Sequence, residues 1–320
     1  MMTLDLTQKL HIGSLALPHR LIQGPLAGYS CAPFRALFSH YQSPAFCVSE
    51  MISAHFLIHQ TSSQTKRYRY RSPDEKRLCY QLSGNDPSIL AKAAKLLNDV
   101  GADLIDLNCG CPKLKIRKKG AGSALLADGD HLARIVSTVK AAITCPLTVK
   151  IRLQSATADA HLAHMLVNSG ADALVVHGRR WTDDYTISCN LAGIKAIKET
   201  VHIPVIANGD IYDKASLTTA IQQTGCDGFM ISRAGTGKPW LYQTLLTDSG
   251  LLPDLSTRIA LFLEHLEHLA ALESSHKAVL QSKSLVKYYF RECFSADRLQ
   301  AFYQLTTLKG ITEWLRVRYL

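Results

Sequence analysis

Residues 78–110 read LCYQLSGNDPSILAKAAKLLNDVGADLIDLNCG, an apolar run, a helical pattern and a second apolar run joined by short turns. Asp86 can cap a helix, and Pro87 suits its first turn, where the missing amide would have no partner. Leu90, Ala94 and Leu97 then recur at helical spacing, which predicts a helix within 86–101. The flanking runs, LCYQLSG (78–84) and DLIDLNCG (103–110), are apolar on both faces, as parallel strands covered by helices must be. The segment reads as one strand–helix–strand unit.

Six more runs of the same kind lie outward from it. They are LIQGPLAG (21–28), AFCVSEM (45–51), LTVKIR (147–152), ALVVHGR (173–179), PVIANGD (204–210) and GFMISRA (228–234). Strand and helix alternating eight times predict a closed parallel (β/α)8 barrel, a TIM barrel, in preference to an open doubly wound sheet. After Trp240 the pattern becomes helical throughout. Leu261, His265, Leu269 and Leu272, then Val286, Tyr289 and Phe290, then Leu305, Leu308, Ile311 and Leu315 mark a C-terminal helical bundle. The expected division is a barrel over 1–244 and a bundle over 245–320.

A chain of 320 residues with 47% hydrophobic content can bury one large core and a small second one. No apolar run reaches the roughly 18 residues that span a bilayer, and MMTLDLTQKLHIGSLALPHR lacks a cationic start followed by an apolar stretch. A soluble cytoplasmic protein, without a membrane partner, is expected. Nine cysteines, an odd number with no CxxC pair and mostly within apolar runs, argue against a disulfide framework. Cys109 and Cys111 could ligate a metal only with partners from distant strands, so no metal site is expected.

The formal charge of +10 favours a polyanionic partner. KRYRYR (66–71) interleaves four cations with two tyrosines, and KLKIRKK (113–119) holds five cations beside the cysteine pair. From Lys277 onward eight Lys or Arg face three acids, and Lys277, Lys283, Lys287 and Arg291 recur at about one helical turn. The alternative, a solvated charged surface, suits one cluster better than three.

Working groups of a barrel sit at the C-terminal strand ends. Here those ends carry Pro25 and Gly28, Glu50, Gln81, Asn108 with Cys109 and Cys111, Lys150 with Arg152, His177 with Arg179, Asn208 with Asp210, and Ser232 with Arg233. Singly, each has a structural reading: Lys150 can snorkel, His177 can be a satisfied buried imidazole, Asn208 can hold a turn. Together they read as a ligand site. The NGD turn after the seventh run and SRAGTGKPW after the eighth offer backbone amides and Arg233 where barrels commonly bind phosphate.

GPLAGYSCAPFR, QLSG, NCGCPKLKIRKKGAGSALL, VKIR, VHGRR, ANGD and SRAGTGKPW, in that order, resemble the flavin-dependent tRNA-dihydrouridine synthases. The resemblance covers barrel and tail. It implies FMN bound over Pro25, Leu26 and Ala27, with Gln81 and Lys150 at its ring and His177 near the same pocket. Asn208, Gly209, Asp210, Ser232 and Arg233 are implied at its phosphate, and NADPH or NADH as reductant. Three positions depart from the family pattern: Leu26 replaces a Met, Ser232 a Gly, and Cys109 is unusual.

Reduction of uracil places a hydride on C6, the electrophilic end of a double bond conjugated with the C4 carbonyl, and a proton on C5. A thiol is mostly protonated near neutral pH yet acidic enough to protonate an enolate, so Cys111 is expected as general acid. Asn108 and Arg179 are expected at the substrate, and Lys113, Lys115, Arg117, Lys118 and Lys119 at the tRNA backbone. Lys283, Lys287 and Arg291 are expected to grip the tRNA body, with the chain acting as a monomer. The target base must leave its stack to reach the barrel mouth. Two other readings share part of this pattern: a dihydroorotate-type FMN barrel acting on a free pyrimidine, which needs no basic clusters, and an RNA-binding barrel without turnover.

Overall fold

The computed structural model describes residues 4–319. Its centre is a closed barrel of eight parallel strands. A two-stranded hairpin precedes it, β1 (Leu10–Ile12) and β2 (Leu15–Leu17). The barrel strands are β3 (Leu21–Gln23), β4 (Cys47–Ser53), β5 (Leu78–Ser83), β6 (Leu104–Cys109), β7 (Leu147–Arg152), β8 (Ala173–His177), β9 (Val205–Asn208) and β10 (Gly228–Ile231). β10 closes the ring by pairing with both β9 and β3.

Most strands stop before the polar tail of the predicted run, whereas β4 continues past its run to Ser53 and β7 fills its run to Arg152. LIQGPLAG ends as a strand at Gln23, because Gly24 and Pro25 break the ladder. ALVVHGR ends at His177 and GFMISRA at Ile231. Gln81, Asn108, Lys150, Arg152, His177 and Asn208 therefore lie at or near strand ends, whereas Cys111, Arg179, Asp210, Ser232 and Arg233 are carried by the loops that follow.

The helices on and around the barrel are α1 (Ala32–Ala36), α2 (Ala54–His59), α3 (Ser62–Arg69), α4 (Pro87–Asp99), α5 (Leu114–Arg117), α6 (Gly129–Ala142), α7 (Ala156–Asn168), α8 (Leu191–Thr200), α9 (Lys214–Thr224) and α10 (Leu241–Thr247). In α4 the Asp86 carboxylate accepts from the Ile89 amide at 2.9 Å, a cap worth about 1 kcal/mol. Leu90, Ala93, Ala94 and Leu97 bury its inner face.

The hairpin was not expected. Leu10, Ile12 and Leu17 are buried against Ile22, Val48, Cys79, Leu104, Val175 and Met230, so the hairpin plugs the end opposite the rim. Gly13 turns it at φ +54, its Cα close to Asp172 and Pro146 at the N-terminal ends of β8 and β7.

Four helices follow: α11 (Leu255–Leu272), α12 (Ser275–Phe290), α13 (Ala296–Tyr303) and α14 (Leu308–Tyr319). They share a core of Phe262, Leu266, Leu285, Tyr289, Phe290, Phe302 and Ile311, to which Cys31, Leu37 and Trp240 of the barrel contribute. The preceding α10 packs its Leu241, Tyr242 and Leu245 into the barrel's core instead. Gly237, at φ +70, lies against α12 so closely that a Cβ there would fall 2.8 Å from the Tyr288 backbone. The loop after β10 thus abuts the helical segment directly. Among the described residues no helix is long and apolar enough to cross a membrane.

Candidate active site at the barrel mouth

Strand register builds a continuous polar chain from the barrel interior to the cysteine loop. Asp106 lies opposite Gln81 and Thr148, and Asn108 opposite Lys150. The Thr148 hydroxyl donates to Asp106 at 2.6 Å and Gln81 Nε2 donates to its other oxygen at 2.8 Å. Asn108 Nδ2 donates to Gln81 Oε1 at 2.9 Å, while Asn108 Oδ1 accepts the Cys111 amide at 3.0 Å. Gln81 is fully engaged at both ends, and Asn108 orients the loop that carries the thiol. Gly122 holds the other side of this loop at φ +63, where a Cβ would fall 2.7 Å from the Cys111 carbonyl oxygen. Cys111 is half-buried, whereas Cys109 is sealed in the barrel wall, where burial pushes its thiol far up.

Asp106 escaped sequence reading, although a carboxylate inside a run apolar on both faces was a usable signal. Burial raises its carboxyl to about 6, against the lowering pull of Thr148, Gln81 and Lys150. Burial likewise brings Lys150 down to about 8, with Asp106 pulling it back up. The Lys150 ammonium donates to Asn208 Oδ1 at 2.8 Å, and Asn208 Nδ2 donates to the Met230 carbonyl at 2.9 Å. His177, opposite Asn208 in the register, is held neutral, at about 2, by burial and by Lys150, Arg152, Arg179 and Arg233 around it.

At the seventh and eighth strands the chain forms an anion cradle. Gly209 (φ +123) and Asp210 (φ 51) turn the backbone after β9, and the amides of Gly209, Asp210 and Arg233 donate to no carbonyl among the described residues. A Cβ on Gly209 would meet Cys189 Sγ at 2.7 Å and His177 at 3.0 Å, so only glycine fits. Ser232 is half-buried within 3.5 Å of Asn208 Nδ2. Arg233 is exposed, its guanidinium 4.0 Å above the Tyr185 ring. Cationic Lys150 and Arg233, free amides and a gap only glycine tolerates suit a phosphorylated ring cofactor. Pro25 and Leu26 are half-buried and Ala27 exposed in the turn after β3.

Several expected ligand contacts are already committed inside the chain. The Asp210 carboxylate accepts from Arg179 at 2.8 Å and from the Cys189 amide at 2.9 Å, so only its backbone is open to an anion. Arg179, 2% exposed, also donates to the Ile187 carbonyl and is a buried strut, not a rim contact. Arg117 donates to Ser123 at 2.9 Å and stacks 3.5 Å from Trp181, tying the cysteine loop to the loop after β8. Lys113, Lys115, Lys118 and Lys119 are exposed.

In the 66–71 run, Arg67 pairs with Glu50 at 2.7 Å and with Glu273, and Arg71 with Asp103 at 2.9 Å. Lys283 points its ammonium at the carbonyls of Phe302, Tyr303 and Leu305, whereas Lys287 and Arg291 are exposed. With Arg117 committed in the cysteine loop, all three basic clusters are therefore partly structural. Most of their partners lie too far along the chain for spacing to reveal them.

A family model described as dihydrouridine synthase matches residues 22–316. A tRNA-dihydrouridine synthase B of Pectobacterium carotovorum is 36% identical, over 95% of this chain and 99% of its own. One of Pseudomonas aeruginosa is also 36% identical, over 91% and 89%. Among solved structures, histamine dehydrogenase from Rhizobium superposes with TM-score 0.59 at 14% identity, over 82% of this chain and 51% of its own. A 2-naphthoyl-CoA reductase complex gives 0.62 at 10%, over 75% and 52%. These likenesses speak to the barrel alone. The sequence matches run from the first barrel strand into the last helix and take in the cysteine loop and the anion cradle, and the chain belongs to the dihydrouridine synthase family.

Proposed function

We propose that the protein is an FMN-dependent tRNA-dihydrouridine synthase that reduces one uridine of tRNA at C5=C6, using NADPH or NADH. The observation that carries this reading is the hydrogen-bonded chain Asp106–Gln81–Asn108–Cys111, which fixes a half-buried thiol at the mouth of a polar barrel beside Lys150. The cradle residues Asn208, Gly209, Asp210 (by its amide), Ser232 and Arg233 would hold the phosphate. Lys150 and His177, with Pro25, Leu26 and Ala27, would face the ring. When bound, the flavin supplies a hydride to C6 of the uracil.

The chain supplies the rest. Cys111 gives its proton to C5, the double bond's electron pair forming the new C–H bond, and the thiolate is reprotonated from solvent. Neutral His177 would add no positive charge beside the ring, and half-buried Lys150 would supply a cation next to it. Asn108 sets the Cys111 loop. Exposed Lys113, Lys115, Lys118 and Lys119 suit the RNA backbone, and the helical segment from 245 suits the tRNA body through Lys287 and Arg291. A cytoplasmic monomer meets these demands. The two exposed basic sites favour RNA over a free pyrimidine, and the intact thiol chain favours turnover over mere binding.

Purified protein should be yellow, bleach with NADPH, and convert uridine to dihydrouridine in tRNA, read by mass analysis of digested nucleosides. Arg233→Ala should lose FMN more readily than wild type, with folding intact, because a charge-assisted phosphate contact contributes about 1.5 to 3 kcal/mol. A colourless protein that FMN cannot restore would overturn the cofactor assignment.

A further inference from the structure

Beside the cysteine loop lies a second cavity that the reaction outlined above does not use. It occupies about 660 Å³ between α2, the turn after β5 and the loop 115–121. Phe56 and Tyr68 form one wall, edge to face with centroids 5.9 Å apart, and Ile89 and Ile116 form others. His55 stands exposed at the mouth, stacked on His59 at 4.1 Å. Lys115 and Lys119 line the same cavity and are exposed. Its one carboxylate, Asp86, is spent capping α4.

Flat apolar and aromatic walls with two cations at the edge match a planar base carrying a phosphate. The cavity is also tied to the thiol. A Cβ on Gly122 would touch Ile116 Cγ2 at 3.0 Å and Cys111 Cβ at 3.1 Å, so the cavity wall and the proton donor both pack against the same face of one glycine.

We propose that this cavity holds the base of a nucleotide adjacent to the target uridine, anchored by stacking on Phe56 and by Lys115 and Lys119 at its phosphate. Extruding one base from folded RNA unstacks its neighbour as well, and a pocket that stacks the neighbour offsets that loss. The occupant is RNA and not the nicotinamide dinucleotide, because the pocket shares the loop that carries the thiol. The inference rests on the tRNA reading.

The test begins by mapping the reduced uridine in a tRNA transcript and preparing that transcript with an abasic nucleotide on its 5′ or 3′ side. One of the two should raise KM for wild type about tenfold, the scale of one lost base–aromatic stack. Phe56→Ala should raise KM equally on intact transcript and add nothing on the abasic one, while Phe56→Trp restores it. The rate at which NADPH bleaches the flavin without RNA should not change. His55→Ala, on the surface, should give a smaller rise of the same pattern should Phe56→Ala fold poorly.

Wild type indifferent to both abasic transcripts would overturn the proposal. So would a Phe56→Ala protein that bleaches slowly with NADPH alone, since the pocket would then belong to the reductant. Absence of dihydrouridine formation by wild type on any tRNA would overturn the function itself, and this pocket with it.

Discussion

Cys111 and Cys109 lie two residues apart and differ in everything that matters for proton transfer. Cys109 closes β6 inside the barrel wall, and Cys111 sits half-buried on a loop pinned by Asn108. Cys111→Ala should retain flavin and tRNA binding and slow dihydrouridine formation at least a hundredfold, the usual loss of a general acid. Cys109→Ala should cost about 1 kcal/mol of stability through a small cavity and leave the rate near wild type. Single-turnover product formation separates the two, and equal losses would point to a paired redox or metal role.

Asp106 and Lys150, neighbours inside the barrel, make a second prediction. Asp106 is raised to about 6 in the folded chain against about 3.9 unfolded, so the fold binds its proton more tightly and loses stability as pH rises from about 4 to about 6. Lys150, lowered to about 8, gives its proton up early, so stability climbs again between about 8 and about 10.4. Urea unfolding of the flavin-free protein should trace this shallow minimum. Asp106→Asn should lack the fall between pH 4 and 6, and a variant that keeps the fall would acquit Asp106.

At the scale of elements, Arg67 of α3 joins parts of the chain that spacing never related. Its guanidinium pairs with Glu50 on β4 and Glu273 after α11, and donates to the Gly28 carbonyl at 3.3 Å, which Gln281 of α12 also reaches at 2.7 Å. Glu50 in turn accepts the Gly28 amide at 2.5 Å. The turn expected under the flavin is thus clamped from the barrel and from the helical segment at once. Arg67→Ala should lower the unfolding free energy by about 3 kcal/mol, because it strands a carboxylate that is 5% exposed. Glu50→Gln in the same chain should recover part of that, measured by denaturant midpoint; no recovery would place the loss in packing alone.

The same clamp marks where sequence reading stops. The eight strands were legible because LTVKIR and its counterparts are apolar on both faces, and α4 because its cap and period agree. The hairpin at Leu10–Leu17 was not, since three-residue strands carry too little pattern to stand out. Rim positions such as Lys150, Asn208 and Arg233 were legible as strand ends. Asp106 and the commitments of Arg67, Arg179 and Lys283 were not, because each depends on a partner brought close only by closure of the barrel or of the bundle.

For the whole molecule, the excess of positive charge matters only where the cations are free. Lys283 illustrates the difference: it holds the carbonyls of Phe302, Tyr303 and Leu305 where α13 ends, and partial burial lowers its pKa. Lys287 and Arg291, on the same helix and just beyond it, are exposed, and Gly237 and the Lys238–Glu292 pair fix that helix against the loop of the anion cradle. Under the proposed function, RNA held by α12 would therefore be registered to the mouth of the barrel. Neutralising Lys287 and Arg291 together should weaken tRNA binding and flatten the slope of log affinity against log salt by up to about 1.8, two released counterions' worth, without loss of flavin. Lys283→Ala should leave the slope alone and cost about 1 kcal/mol in thermal unfolding. If the double variant kept both affinity and slope, Lys113, Lys115, Lys118 and Lys119 would have to carry the RNA by themselves, and the helical segment would serve as a brace for the barrel loops. If Lys283→Ala flattened the slope instead, its ammonium would have to exchange three carbonyls for a phosphate on binding, and α13 would be the part of the bundle that moves.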